Sequence, residues 1–204
     1  MVKPYTYLIS KRVFDILFSS IGLIALSPFF LVFSILVKLN STGPILFKGV
    51  RIGKHGVPFN IYKFRSMYVG SEMMAGSTSR NDFRITTIGK FIRKYKIDEL
   101  PQLINVFKGE MSFVGPRPEL KKYTDQYKGD ELLILKVKPG ITDLSSIKFS
   151  NLNDLIDDDN PDSSFEKNIL ASKNLLRIEY AKTATFFGDI ELIFLTILKL
   201  LSNR

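Results

Sequence analysis

The chain has 204 residues, 45% of them apolar, which suffices for one domain plus an appendage with a real core. Its net charge of +9 calls for an anionic partner: nucleic acid, an anionic membrane surface or a phosphorylated small molecule. With no cysteine and a single histidine, His55, disulfides, thiolate metal sites, cysteine nucleophiles, His-rich zinc sites and paired-histidine acid-base chemistry are excluded, and chemistry must rest on carboxylates, Lys, Arg and hydroxyls.

Val13 to Val37 is an apolar run whose only charge is Asp15. As one straight helix it would reach roughly 37 Å, enough to cross a bilayer core of about 30 Å. Two features argue against a simple crossing. Pro28 removes a helical hydrogen bond and collides with the carbonyl of Ile24, so a bend is predicted there, with the Ser27 hydroxyl serving part of the disturbed backbone. Both flanks are also basic, Lys3, Lys11 and Arg12 before the run and Lys38, Lys48 and Arg51 after it, which disfavours ends on opposite sides of a membrane. A re-entrant hairpin bent at Ser27-Pro28 is the preferred reading over a kinked spanning helix or a signal peptide cleaved near Ala25-Leu26-Ser27.

Ser41-Thr42-Gly43-Pro44 then marks a loop, and apolar runs at Ile45 to Val50 and Pro58 to Met67 flank Gly53-Lys54-His55-Gly56, which reads as a β-hairpin. An ordinary turn is preferred there over an anion-binding nest, with His55 a turn residue. Alternation in the second strand places Phe59, Ile61, Lys63 and Arg65 on one face, where two cations need either an anion or a path to water. Gly70 to Asn81 reads as a loop able to cover a site. The following helix gathers Lys90, Arg93 and Lys94 on one face, with Ile88, Phe91, Ile92 and Tyr95 largely opposite.

Asp98-Glu99 lies in the most basic part of the chain, between Arg84, Lys90, Arg93, Lys94 and Lys96 upstream and Lys108 and Arg117 downstream. Two carboxylates ringed by cations suggest a site for phosphates and a metal. The plainer reading is that Asp98 caps a helix whose buried stripe is Leu100, Leu103, Ile104 and Phe107. In Gly115-Pro116-Arg117-Pro118 the prolines stiffen the backbone and display Arg117 on a bracket suited to bidentate phosphate binding. Lys138-Pro139-Gly140-Ile141-Thr142 is a second stiff turn.

Taken in order, Lys11-Arg12 with Phe14-Asp15, Ser27-Pro28, Tyr62-Lys63-Phe64-Arg65-Ser66-Met67, Arg84-Ile85-Thr86 through Arg93, Asp98-Glu99-Leu100-Pro101-Gln102, Gly109 through Pro118 and Pro139-Gly140-Ile141-Thr142 resemble the bacterial sugar transferase family, the monotopic phosphoglycosyl transferases. The resemblance implies an enzyme on the cytoplasmic face of the bacterial inner membrane, held by a re-entrant helix broken at Ser27-Pro28. It implies transfer of sugar 1-phosphate from a UDP-sugar to polyprenol phosphate, with UMP released, magnesium required and a covalent phosphosugar formed on the first acid of the pair, here Asp98. On that footing Asp98 attacks the β-phosphorus, Glu99 binds metal or orients Asp98, and Lys63, Arg65, Arg93 and Arg117 bind phosphate beside the loop residues Pro116 and Pro118. A position at a helix start would help keep Asp98 ionised.

The expected architecture is α+β: residues 1–40 a re-entrant membrane helix-hairpin, and residues 41–204 a small, mixed helical catalytic domain with a short β-hairpin, lying at the membrane interface and ending in an interfacial helix. Where family members often continue Pro-Gly-Ile-Thr with Gly-Trp-Ala-Gln, this chain has Asp143-Leu144-Ser145-Ser146 and no tryptophan, which leaves the donor sugar open. The acidic stretch Asn153 to Ser164 reads as a solvated loop and lacks calcium-loop spacing. A helix is predicted over Phe165 to Tyr180 and an apolar one over Ile190 to Leu201. A membrane-tethered nucleic-acid binder would explain the charge without explaining an acidic pair at its centre, and an inactive scaffold of the same fold would not need that pair. Oligomeric state has no signature in the sequence.

Overall fold

A computed structural model of the chain describes residues 3–71, 78, 82–149 and 160–202. Helix α1 (Tyr5–Ala25) and helix α2 (Ser27–Asn40) meet at Leu26 with a bend of 61°. Pro28 stands in the first turn of α2, where its missing N–H costs nothing, while the carbonyl of Ile24 takes a hydrogen bond from Ser27 Oγ at 2.7 Å. Among the described residues no single helix is long and apolar enough to cross a membrane; the bent pair passes that test only together. Apolar side chains along both arms face outward, among them Ile21, Ile24, Phe29, Leu31 and Leu39.

Strands β1 (Leu46–Ile52) and β2 (Pro58–Phe64) pair antiparallel, Leu46 opposite Phe64 and Ile52 opposite Pro58. Their connection is an ordinary turn, with His55 and Gly56 in left-handed geometry. Helix α3 (Thr87–Lys94) is capped by Thr86, whose hydroxyl accepts the Gly89 N–H at 2.9 Å. A 3-10 turn, Ile97–Glu99, carries the acidic pair, and helix α4 (Gln102–Lys108) follows.

The predicted helix start at Asp98 is corrected here. Pro101 stands at the N-cap of α4 with no side-chain cap, so Asp98 caps nothing in that helix. The predicted stripe also changes. Leu103 is buried, Leu100 and Ile104 are partly covered and Phe107 is exposed, while Gln102, Asn105 and Val106 are buried. The helix turns a polar residue inward because Asn105 ties it to β2, accepting the Tyr62 N–H at 3.0 Å and donating to Asn60 O at 2.7 Å.

Strand β3 (Ser112–Val114) runs parallel to β4 (Gly140–Thr142). This pairing stacks the two stiff turns: Gly115 N–H donates to Thr142 O at 3.0 Å and Gly140 N–H to Pro116 O at 3.1 Å. Both glycines are forced by contact, since a Cβ on Gly115 would lie 2.3 Å from Lys138 O and one on Gly140 2.1 Å from Gly115 N. Short helices α5 (Lys121–Thr124), α6 (Leu144–Lys148) and α7 (Pro161–Phe165) follow; a π-turn over Glu166–Leu170 joins α7 to α8 (Ala171–Thr183), and α9 (Phe186–Ser202) completes the order. The helix expected over Phe165 to Tyr180 is divided, its first part falling in the end of α7 and the π-turn and the rest in α8, while the one expected over Ile190 to Leu201 is present with wider bounds. Most of the predicted loop Gly70 to Asn81, and the acidic stretch through Asp159, lie outside the described residues.

Three residues near the start of the chain, given no structural role by the sequence, fasten α1 to the rest. Asp15, the lone acid of the apolar run, is buried and its Oδ1 accepts from Ser112 Oγ at 3.0 Å and Phe113 N–H at 3.1 Å. Arg12 donates to the last carbonyls of α4, Val106 O at 2.7 Å and Phe107 O at 2.8 Å, where a cation suits the helix end. Lys11 reaches Asp189 of α9 at 2.5 Å, and that carboxylate also accepts from Tyr7 at 3.0 Å and Tyr180 at 2.8 Å.

Candidate active site

The site is assembled from β2, the end of α3, the 3-10 turn and the proline bracket. Lys96 adopts a left-handed conformation (φ 57°) that reverses the chain after α3 and delivers Asp98 inward. From β2, Lys63 Nζ donates to Glu99 Oε1 at 2.9 Å. From the bracket, Arg117 grips the same carboxylate with both nitrogens, Nη1 to Oε2 at 3.0 Å and Nη2 to Oε1. Glu99 is thus a largely covered anion held in a two-cation clamp. Although burial acts to raise it, Arg117 and Lys63 together hold its carboxyl well below the usual range. Lys63 does not gain symmetrically, because burial and the neighbouring Arg117 outweigh Glu99 and lower its pKa.

Asp98, next in the chain, is in the opposite state. It is 5% exposed, and its Oδ1 is buried with no hydrogen-bond partner among the described residues. Burial raises its pKa, the negative Glu99 adds to that rise, and Lys63, Arg93 and Lys96 oppose it. The expectation that a helix start would keep it ionised fails for the reason given by the fold: the helix begins later. Adjacent acids of like type are therefore split by environment, one fixed as an anion and one left as an unsatisfied buried carboxyl.

Two further unsatisfied groups belong to the surrounding elements. Arg93 parts from Lys90 and Lys94, with which it was expected to share a face, and turns inward; Nη2 donates to Thr78 Oγ1 at 3.1 Å, and Nη1 is buried without a partner among the described residues. Lys90 and Lys94 are exposed. Gln102 is fully buried, with neither Oε1 nor Nε2 bonded among the described residues. It shares a helix face with Asn105 and Val106, the face packed on β2, one turn nearer the acidic pair. Gln102 stands in the Asp98-to-Gln102 motif with no role marked by the sequence; a polar residue at an otherwise buried helix position is its one signal.

Lys63, Arg93 and Arg117 are brought together around the pair, and Pro116 and Pro118 are buried beside Arg117. Arg65 is not. Its guanidinium is turned to the C-terminal end of α2, donating to Ser41 O at 2.6 Å, Thr42 O at 2.7 Å, Ser41 Oγ at 2.9 Å and Val37 O at 3.4 Å. It completes the helix end that supports β2. Ser27 and Pro28 form the bend of the N-terminal helix pair, as described. No cluster of three or more acidic or histidine side chains gathers as a ready metal cage among the described residues.

The family model described as bacterial sugar transferase matches residues 6–203. The chain is 39% identical over 202 residues to a UDP-glucose:undecaprenyl-phosphate glucose-1-phosphate transferase of Klebsiella pneumoniae, covering 97% of this chain and 41% of that protein. It is 46% identical over 129 residues to a putative undecaprenyl-phosphate N-acetylgalactosaminyl 1-phosphate transferase of Bacillus subtilis (strain 168), covering 63% of this chain and 72% of that one. Against a UDP-N-acetylgalactosamine-undecaprenyl-phosphate N-acetylgalactosaminephosphotransferase of Aeromonas hydrophila it is 35% identical, over 97% of this chain and 45% of the relative. The chain thus spans less than half the length of several of the relatives it matches end to end.

Proposed function

The chain belongs to the bacterial sugar transferase family, and on that footing we propose that it moves a sugar 1-phosphate from a UDP-sugar to undecaprenyl phosphate, releasing UMP, as the first membrane step of a glycoconjugate pathway. The observation that carries the reading is the division of labour between neighbouring acids: Glu99 is saturated by Lys63 and Arg117, while Asp98 Oδ1 is buried and unengaged. A carboxylate is a weak nucleophile, useful where the phosphorus is made electrophilic and its charge is neutralised. Asp98 attacks the β-phosphorus of the donor; the bond from that phosphorus to the bridging oxygen breaks and UMP departs with the electron pair. The phosphosugar is then an acyl phosphate on Asp98. A phosphate oxygen of the polyprenol acceptor attacks the same phosphorus, and the Asp98 carboxylate leaves unchanged.

Arg93 and Lys63 face Asp98 electrostatically and supply positive charge where the donor phosphates would lie. Arg117 is positioned by the stacked glycine turns, and through Glu99 it keeps Lys63 in place. Arg65 drops out of the phosphate-binding set and acts as a helix-end support.

The residues present suit magnesium. Asp98 Oδ1 and Gln102 Oε1 are hard oxygen donors with no partner among the described residues, and magnesium takes few protein oxygens alongside substrate phosphate. Asp98 and Gln102 would hold it, and when bound it neutralises charge on the donor phosphates. Glu99, with its oxygens occupied, serves as the anchor of the cation clamp and is not part of that donor set.

The bent helix pair supports a monotopic placement at the cytoplasmic face of the inner membrane. With 21 and 14 residues in the arms and a bend of 61°, a symmetric V lying point-down reaches about 10–16 Å, about one leaflet of a 30 Å core. The outward apolar residues of α9, including Phe187, Phe194 and Leu201, would share that surface.

The reaction is tested by incubating the purified protein with magnesium, undecaprenyl phosphate and a panel of UDP-sugars while UMP is measured. UMP is expected from at least one donor with the wild type and from none with Asp98→Asn; near wild-type release by that variant would remove Asp98 as nucleophile, and no UMP from any donor would refute the reaction. For placement, single cysteines at positions 3 and 42 should both react with an impermeant reagent only from the cytoplasmic side. Labelling from opposite sides would establish a crossing.

A further inference from the structure

Behind the bracket lies a second group of buried charges that the proposed chemistry does not use. Arg177 of α8 is fully buried; Nη2 donates to Glu119 Oε1 at 2.6 Å, Nη1 to Asn174 Oδ1 at 3.2 Å, and Nε stands 3.8 Å from Asp143 Oδ2. Asp143 is saturated in its own right. It accepts the Arg117 N–H at 3.2 Å, the Ser146 N–H at 2.6 Å and the Ser145 hydroxyl at 2.8 Å. The two acids of the cluster, Glu119 and Asp143, are therefore already engaged, and Asp143 links the cluster directly to the Arg117 backbone.

Lys173 is one helical turn before Arg177 on the same face of α8 and is 4% exposed. Its ammonium has no hydrogen bond or ion pair among the described residues; its one described contact is the face of Phe165, 5.7 Å from Nζ to the ring centre. Burial lowers its pKa to about 8, Arg177 and Arg117 push the same way, and Glu119 and Asp143 oppose them incompletely. Its stem is covered while the ammonium at its tip keeps contact with solvent, so an anion from outside the chain can reach it. Such a group next to an anion-binding bracket is suited to a ligand that brings the missing charge.

We propose that Lys173 is a donor-binding residue whose unpaired ammonium meets an anionic oxygen of the nucleotide diphosphate on the bracket side of the site. This rests on the UDP-sugar reading above. Arg93 and Lys63 serve the end of the donor where phosphorus is attacked; Lys173 serves the nucleotide end that leaves. It thereby contributes to donor binding and not to the acceptor half of the reaction.

The test uses the full chain in nanodiscs with magnesium, with UDP and uridine as calorimetric probes. Lys173→Met keeps the length and apolar character of the buried stem and removes the charge. It is expected to weaken UDP binding about tenfold, to leave uridine binding and the KM for undecaprenyl phosphate unchanged, and to melt no lower than the wild type without nucleotide. Lys173→Arg should restore UDP affinity to within about threefold. Unchanged UDP affinity in Lys173→Met would overturn the proposal, as would an equal loss of UDP and uridine binding, which marks a structural role. A wild type that binds no UDP would instead refute the donor reading on which the proposal stands.

Discussion

Replacing each acid of the central pair by its amide should move stability in opposite directions while abolishing UMP formation in both cases. Glu99→Gln removes the charge that Lys63 and both nitrogens of Arg117 address, and the Glu99 side chain is only 13% exposed. Two partly buried cations lose their anion, a change of up to about 3–5 kcal/mol. At about 2–4 °C per kcal/mol for a chain of this size, the melting temperature should fall on the order of 10 °C. For Asp98 the sign reverses. Its folded pKa is raised above the unfolded value, so the folded state holds the proton more tightly and loses stability as pH rises through that titration. Once ionised, the unpartnered carboxylate is a net cost, and Asp98→Asn removes it, a gain of about 1 kcal/mol or more and a rise of about 2–4 °C. Because the chain has no tryptophan, thermal melts are best followed by far-UV circular dichroism in detergent. Shifts of the same sign, or a Glu99→Gln variant melting within 2 °C of the wild type, would refute the contrast drawn between the two acids.

Two other outcomes separate structural from chemical roles. Arg65→Met should cost about 2–4 kcal/mol by stripping the end of α2 of its donors, yet leave kcat/KM of the folded protein within about threefold; a collapse of kcat/KM without loss of stability would return Arg65 to the phosphate site. In pH profiles, the proposed attack needs ionised Asp98, so activity should fall below a pKa lying above the ordinary carboxylate range, at a pH where the fold is still intact. Glu99 stays ionised far lower, and the stability its clamp provides is lost only as pH falls through that depressed titration. Activity and circular dichroism lost together on acidification would contradict that order.

The broken N-terminal helix was legible because one residue type enforces it: Pro28 and the preceding serine specify the bend and its hydroxyl repair in any context. The β-hairpin and its turn were legible for the same reason, short apolar runs around two glycines. The central helix was misplaced. Its periodic apolar residues suggested a start at Asp98, while the local sequence Lys96 to Pro101 uses a left-handed residue and a 3-10 turn that no periodicity announces. Charge alone also could not distinguish Arg65 from Lys63, two residues apart at the end of β2. One finds a carboxylate and the other a helix end, a difference set by elements 23–36 residues away in sequence. Lys173 and Arg177 carried no motif at all, because their meaning comes from Glu119 and Asp143 arriving from other parts of the chain.

The fastening of α1 has a mechanical consequence. Asp15 grips β3, Arg12 grips the end of α4 and Lys11 grips α9, all on the first half of that helix and all before the bend at Leu26. The arm is thereby a rigid stilt and not a tether. The height of Asp98 above the point where the helix pair bends is a fixed dimension of the molecule, so on the proposed membrane placement a lipid-borne phosphate must rise or sink to a set level to be used. Lengthening the chain at Leu26 would change the shape of the foot without moving the reaction centre, whereas loosening Asp15 would let that level drift.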